Sequence, residues 1–285
     1  MNVKMLWWSQ PDPKNDQLKF DDIGQELQEM IAYVARVSNP GSQAQMKSSE
    51  KLLQYLIDHE HWSPFEMVHV TMEIETTRDI ARQILRHRSF TFQEFSQRYG
   101  DPTTDLGFVT RDARKQDPKN RQNSIDVVPG NGESEAGLIN DWELSQNAVI
   151  STAEGAYGWA VKNGIAKEQA RVVLPEGNTV SRMYMAGSLR SWIHYVILRS
   201  ANGTQKEHME VAQAAGEKLL TIFPMLDRLL NGDPENYEVS IKGPDTNVSL
   251  KIPREMVEAL HSDKAQEGFE AMILYMTKQL ENKGQ

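Results

Sequence analysis

Val68-His69-Val70-Thr71-Met72-Glu73-Ile74-Glu75-Thr76-Thr77-Arg78-Asp79-Ile80-Ala81-Arg82-Gln83-Ile84-Leu85-Arg86-His87-Arg88 changes its period halfway. In the first half Val68, Val70, Met72 and Ile74 alternate with His69, Thr71, Glu73 and Glu75, the spacing of a half-buried strand. From Arg78 to about Arg88, Ile80, Ile84 and Leu85 recur at helical spacing. Thr76-x-x-Asp79 between the two has the form of a capping box with Asp in place of Glu or Gln. Outward from this strand–helix junction, the pattern predicts helices over about 21–37, 43–59, 134–163, 188–200 and 204–230. Gly164 stops the third, and Thr179 to Ala186 form a second long strand. The expected fold is α+β: a helix-rich single core with a mixed or antiparallel sheet. Residues 100–133, rich in Asp and Asn, broken by prolines and without a sustained period, read as a long loop within it. The turn signal Gly232-Asp233-Pro234-Glu235 separates a main domain, 1–232, from a C-terminal appendage, 233–285, expected to be helical. No internal repeat or low-complexity tract is present.

The 285 residues are 39% hydrophobic and 25% charged, the balance of an ordinary globular protein with a sizeable core. No apolar run is long enough to span a bilayer. The N-terminal apolar patch, Met5-Leu6-Trp7-Trp8, lacks the length and cleavage site of a signal peptide, so the expected location is the cytoplasm. With no cysteine, the chain has no disulfide framework, thiolate metal site or Cys nucleophile, and no metal site is expected. A net charge of −9 argues against a nucleic-acid-binding surface.

Against that acidic background, Arg78, Arg82 and Arg86 recur every fourth residue, and Arg88 and Arg98 follow as the chain leaves the helix. Five Arg against Asp79 and Glu94 make this segment +3. Guanidinium groups suit phosphate because they are always charged and bind in bidentate fashion. By charge spacing alone, a solvated arginine face pairing with surface carboxylates is the ordinary reading.

The spelling of the segment adds to this. Arg86-His87-Arg88, seven residues, then Ser96 resembles the signature of the flavin-dependent thymidylate synthases, the ThyX family. Four more segments resemble that family in the same order. They are Ala35-Arg36-Val37-Ser38; His61-Trp62-Ser63-Pro64-Phe65-Glu66; Ala170-Arg171-Val172-Val173-Leu174-Pro175; and Leu189-Arg190-Ser191 with Leu198-Arg199 and Gln205-x-Glu207. The resemblance covers about residues 25–230. It implies reductive methylation of dUMP to dTMP, with methylenetetrahydrofolate as carbon donor, FAD as redox cofactor and NADPH as reductant, in a homotetramer with shared sites. The missing cysteine agrees with it, since the other thymidylate synthase family attacks the pyrimidine with a Cys thiolate.

By the same resemblance, dUMP would be contacted by Gln83, Arg86, Glu94, Ser96, Arg98, Arg171 and Arg199. FAD would be contacted by His61, Ser63, Glu66, Arg86, His87, Arg88 and Arg190, with His194 at the flavin edge. Ser96 and Arg199 would be the catalytic pair: a polarising hydroxyl without an evident His–Asp relay, and a cation that stabilises negative charge on the pyrimidine. No Gly-x-Gly-x-x-Gly fingerprint is present, so the flavin is not held in the Rossmann manner. Ser188 and His194 stand where the family often has Asn, Gly203 where a flavin-contacting His is common, and Glu207-His208-Met209 where Glu-Ile-Arg is frequent. Two other readings compete. One is a related flavin enzyme that modifies another pyrimidine nucleotide; the other is a non-catalytic nucleotide-binding protein.

Overall fold

The computed structural model describes residues 1–12, 14, 26–39, 41, 49–128, 133–231, 236–243, 246–253 and 273–277. The chain forms two compact units, Met1–Phe223 and Pro224–Gln285.

The first unit is built on a four-stranded antiparallel sheet in the order β1-β2-β6-β3, formed by β1 (Asn2–Trp8), β2 (His69–Thr77), β6 (Val180–Ser188) and β3 (Phe90–Glu94). The strand of the opening stretch is thus central. Thr71, Thr76 and Thr77 are buried along with Val70, Met72 and Ile74, so β2 is more enclosed than a half-buried strand. β6 pairs with it along its whole length, from His69 opposite Ser188 to Thr77 opposite Val180. At the open side Phe90 lies opposite Gly187, where a Cβ would stand 2.5 Å from the Phe90 Cδ1. The ring of Phe90 occupies the space that glycine leaves.

The helices are α1 (Glu26–Ala35), α2 (Glu50–Asp58), α3 (Arg78–Ile84), α4 (Glu133–Lys162), α5 (Leu189–Ser200) and α6 (Lys206–Leu220). Of these, α3, α5 and α6 pack on the sheet, α1 on α2 and the turn Ser63–Met67, and α4 on Ala170 and Leu174. The expected segments 21–25 and 43–48 lie outside the described residues, as does the turn signal at 232–235. α5 brings two of the largest core side chains, Trp192 and Tyr195. Trp192, Ile193, Tyr195 and Val196 are buried on α5, and α6 meets it with the small residues Ala212, Ala215 and Gly216. The buried indole of Trp192 loses no hydrogen bond, because its Nε1 donates to the Val70 carbonyl at 3.0 Å.

Several sequence expectations need correction. α3 ends at Ile84 rather than near Arg88, and Phe90–Glu94 is a strand; Phe90 and Phe92 at alternate positions carry that preference. The N-terminal apolar patch is the edge strand β1. No capping box forms at α3: Thr77 is its N-cap, and its hydroxyl donates to Asp79 Oδ1 at 2.6 Å instead of capping the backbone. The long segment after residue 100 contains a helical turn, Pro102–Asp105, and a hairpin of β4 (Arg114–Gln116) and β5 (Ser124–Asp126).

The second unit contains α7 (Leu226–Asn231) and an antiparallel hairpin of β7 (Asn236–Gly243) and β8 (Thr246–Pro253). The helical appendage expected from the sequence is therefore a hairpin in its first part. Tyr237, Val239, Ile241 and then Val248, Leu250, Ile252 have a period of two on either side of Gly243-Pro244-Asp245, which is a hairpin signature. Within 233–285 the described residues are helical only at 273–277.

Candidate functional site

Helix α3 sits with its start on β6 and its end beside α6, and distributes the arginine row. Arg78, buried on α3, pairs with Glu94 at 3.5 Å and Glu176 at 3.7 Å; Arg82 reaches the same two carboxylates at 3.4 and 3.8 Å. Ser181 donates its hydroxyl to Glu94 at 2.8 Å. Glu94 therefore gathers two guanidinium groups and a hydroxyl at the end of β3. Arg86 and Arg88, beyond the end of α3, are exposed and make no side-chain hydrogen bond or ion pair among the described residues.

Beyond β3 the chain turns on Ser96, whose carbonyl accepts from the Tyr99 and Gly100 amides at 3.0 and 2.9 Å. The Arg98 amide lies 3.4 Å from the Ser96 hydroxyl. Glu168 joins Arg98 to Arg171: its carboxylate pairs with Arg98 at 3.3 Å and its carbonyl accepts from Arg171 Nε at 3.3 Å. This pairing is solvent-exposed, worth about 0–1 kcal/mol, so an arriving anion displaces it at small cost.

On the other side of α3, Arg199 near the end of α5 donates through Nε to His87 Nε2 at 2.9 Å. Nε2 must then be a lone-pair acceptor, which requires a neutral imidazole with its proton on Nδ1. Burial and the adjacent Arg199 push the His87 pKa down, keeping that form. The His87 ring lies edge-on to Tyr195, centroids 4.9 Å apart, one helical turn before Arg199. Gln83 donates its Nε2 to Gln205 Oε1 at 2.7 Å, and its Oε1 meets His208 Nδ1 at 3.2 Å.

The third group stands at the start of α5. Glu66, in the 3₁₀ turn Ser63–Met67, pairs with Arg190 at 2.6 Å; the Ser188 hydroxyl and then Arg190 hold its carboxyl below the ordinary value. His194 packs against Trp62 with ring centroids 5.0 Å apart, and burial followed by Arg190 lowers its pKa. His61 and Ser63 are exposed beside them. Arg190 and Arg199 are nine residues apart on one helix, about 13 Å along its axis and half a revolution round it. One subunit thus brings Gln83, Arg86, His87 and Arg199 together round the end of α3, with Glu94, Ser96, Arg98 and Arg171 beside β3. It keeps His61, Ser63, Glu66, Arg190 and His194 at the far end of α5.

A cavity of about 740 Å³ adjoins Gln83 through Gln205, with Arg114, Arg121, Trp142, Gly203, Gln205 and Lys206 on its wall. Gly203 has φ of +93°, the left-handed region that favours glycine, and a Cβ there would stand 3.5 Å from Gln122 Oε1. The departure at this position thus matches the backbone it serves. Tyr195, Arg114 and Gln205 belong to the site's surroundings, although sequence reasoning gave them no role. Gln205-x-Glu207 was visible as a motif, whereas nothing marked Arg114, which arrives on the hairpin of a segment that reads as loop.

The profile of the family described as thymidylate synthase complementing protein matches residues 22–225. A probable flavin-dependent thymidylate synthase of Paramecium bursaria Chlorella virus 1 is 45% identical over 204 residues, covering 72% of this chain and 90% of that protein. The flavin-dependent thymidylate synthase of Synechocystis is 50% identical over 195 residues, 68% of this chain and 85% of its own. Among solved structures, a UMP/dUMP methylase, PolB from Streptomyces cacaoi, superposes with a TM-score of 0.61 at 22% identity, over 81% of this chain and 96% of that one. With a family profile spanning most of its length and two such relatives, the chain belongs to the flavin-dependent thymidylate synthase family.

Proposed function

We propose that this protein makes dTMP from dUMP, taking the carbon from methylenetetrahydrofolate and reducing equivalents from NADPH through FAD. The observation that carries the reading is the state of Arg86 and Arg88: two permanent cations at the end of α3 with no carboxylate spent on them among the described residues, in a chain of net charge −9. A nucleotide phosphate and a flavin pyrophosphate are the anions such groups suit.

dUMP carries close to two negative charges. Arg98 and Arg171 would exchange their weak hold on Glu168 for its phosphate, and Arg86 would complete the cradle. Arg199, fixed by neutral His87, would place a permanent charge where negative charge develops on a pyrimidine carbonyl. Ser96 would position and polarise; Gln83 would orient the nucleotide. Glu94, clamped by Arg78, Arg82 and Ser181, would act from a fixed place. The residues suit FAD: uncommitted Arg86 and Arg88 for the pyrophosphate, with His61, Ser63, Glu66, His87, Arg190 and His194 as further contacts. When bound, the reduced flavin supplies the electrons that convert the transferred carbon into a methyl group. The separation of the flavin contacts between the two ends of α5 supports sites assembled from several subunits, in a homotetramer. A cytoplasmic enzyme without nucleic-acid or membrane partners is the setting that fits; among the described residues no helix is long and apolar enough to cross a membrane.

The test is direct. Protein incubated with FAD and desalted should retain a flavin absorbance spectrum, oxidise NADPH and convert dUMP with methylenetetrahydrofolate into a product of dTMP mass. No flavin retained after excess FAD sinks the reading. A product from dCMP but not dUMP transfers it to another pyrimidine nucleotide.

A further inference from the structure

Five side chains form one directed hydrogen-bond relay beside the nucleotide residues. Arg114 on β4 donates to one oxygen of Glu207. Gln205 Nε2 donates to the other, Oε2, at 2.9 Å. Gln83 Nε2 donates to Gln205 Oε1 at 2.7 Å, and His208 Nδ1 meets Gln83 Oε1 at 3.2 Å.

The direction of every bond follows from one group. An ionised carboxylate only accepts, so Gln205 must turn its amide nitrogen to Glu207 and its oxygen to Gln83. Gln83 must then present its nitrogen to Gln205, which leaves its oxygen facing His208. For that last bond to exist, His208 must carry a proton on Nδ1. Glu207 is held in its charged form by its hydrogen bonds and by Arg114, although burial opposes this. His208 is fully buried; burial, then Arg199 and His87, push its pKa down to about 4, so it is neutral at physiological pH. A neutral imidazole has a single N–H, and the relay places it on Nδ1. Nε2 has no partner.

A buried polar cluster can serve only the core. This one ends instead on Gln83, one turn before Arg86 and His87, and His208 also lies against the His87 ring, centroids 6.1 Å apart. An isolated carboxamide has two flips of nearly equal energy, which offer a ligand opposite orders of donor and acceptor.

We propose that His208 is a positioning residue for the nucleotide site: together with the Glu207–Gln205 arm it locks the Gln83 carboxamide in one flip, so that the hydrogen-bonding order met by a uracil nucleotide is set before binding. The proposal rests on the reading of Gln83 as a dUMP contact. It adds a buried residue, His208, outside the set assigned to dUMP.

The holoenzyme, its His208→Ile and His208→Asn variants, and both His208→Ile and wild type in a Gln83→Ala background would be compared by calorimetric dUMP titration and by steady-state kinetics. Asn carries an amide nitrogen near the place of Nδ1, and Ile fills the buried position without a donor. His208→Ile should weaken dUMP binding about tenfold and raise KM for dUMP, with NADPH-driven flavin reduction unchanged; one neutral hydrogen bond has that worth. His208→Asn should recover most of the loss, and His208→Ile should add nothing once Gln83 is Ala. Equal dUMP affinity in wild type and His208→Ile overturns the proposal, as does an equal effect of His208→Ile with or without Gln83. If the wild type itself binds no dUMP, the functional reading falls and takes this inference with it. If wild type binds and only the His208 effects are missing, the inference alone falls.

Discussion

Arg199 and Ser96 carry different physics, and substitution separates them. Arg199 is a permanent, half-buried cation with one N–H spent on His87 and the rest available. Removing a charge-assisted contact to a desolvated anion costs about 2–5 kcal/mol, so Arg199→Ala should lower kcat/KM for dUMP by roughly 30-fold or more. Ser96→Ala removes a neutral hydroxyl worth about 0.5–1.5 kcal/mol in a positioning role and should leave dTMP formation readily measurable. FAD reduction by NADPH should survive in both. Loss of all product with Ser96→Ala, alongside a nearly intact Arg199→Ala, would reverse these roles. At this scale the sequence shows which residue types are present but not how each is spent. Arg78, Arg82 and Arg86 are equivalent by spacing, yet among the described residues two are paired and one is not, because Glu94 and Glu176 arrive from other parts of the chain. His208 was visible only as a departure from a motif; its bond to Gln83 exists only after α3 and α6 have packed.

At the scale of elements, the strand–helix junction at Thr77–Arg78 and the strand at Val180–Ser188 were legible, because both follow from hydrophobic period. β3 was not. Its five residues are too few to establish a period, and its partner β6 lies far along the chain, so pairing rather than local preference makes it a strand. Gly187 is where that pairing is tightest. A Cβ at 187 would stand 2.5 Å and 2.8 Å from two carbons of the Phe90 ring, which in turn abuts Trp192 at 4.9 Å and Tyr195 at 5.9 Å. Gly187→Ala should therefore cost about 1–3 kcal/mol, the usual range for overpacking a filled core, read as a lowered melting temperature. An unchanged melting temperature would mean that the Phe90 ring swings aside freely.

For the whole molecule, the family profile ends at residue 225, close to the end of the first compact unit at Phe223. Within that unit α4 presents Trp142, Leu144, Val149 and Trp159 to solvent, Trp159 at 63% exposure. Spread over about half the circumference of this 30-residue helix, these are apolar side chains that the proposed tetramer would cover. Mass action then predicts that specific activity falls as the enzyme is diluted through its dissociation range, in step with a loss of mass by sedimentation. A monomer at all concentrations with constant specific activity would refute shared sites. No period in the sequence marks this face as intermolecular, since an apolar residue reads the same whether its cover is its own chain or a neighbour.

The two arginines of α5 impose a constraint of another kind on the family history of this chain. Every residue of an α-helix advances the rotation by about 100° and the length by about 1.5 Å. A single insertion between Arg190 and Arg199 would leave both residues present and the helix intact, yet swing Arg199 a quarter-turn or more away from His87. Side chains along that stretch are free to drift so long as their packing is replaced, but their number is not. In this segment descent with modification should proceed by substitution alone, and a lineage that gained or lost one residue there would have had to rebuild either the nucleotide end or the Glu66 end of the site.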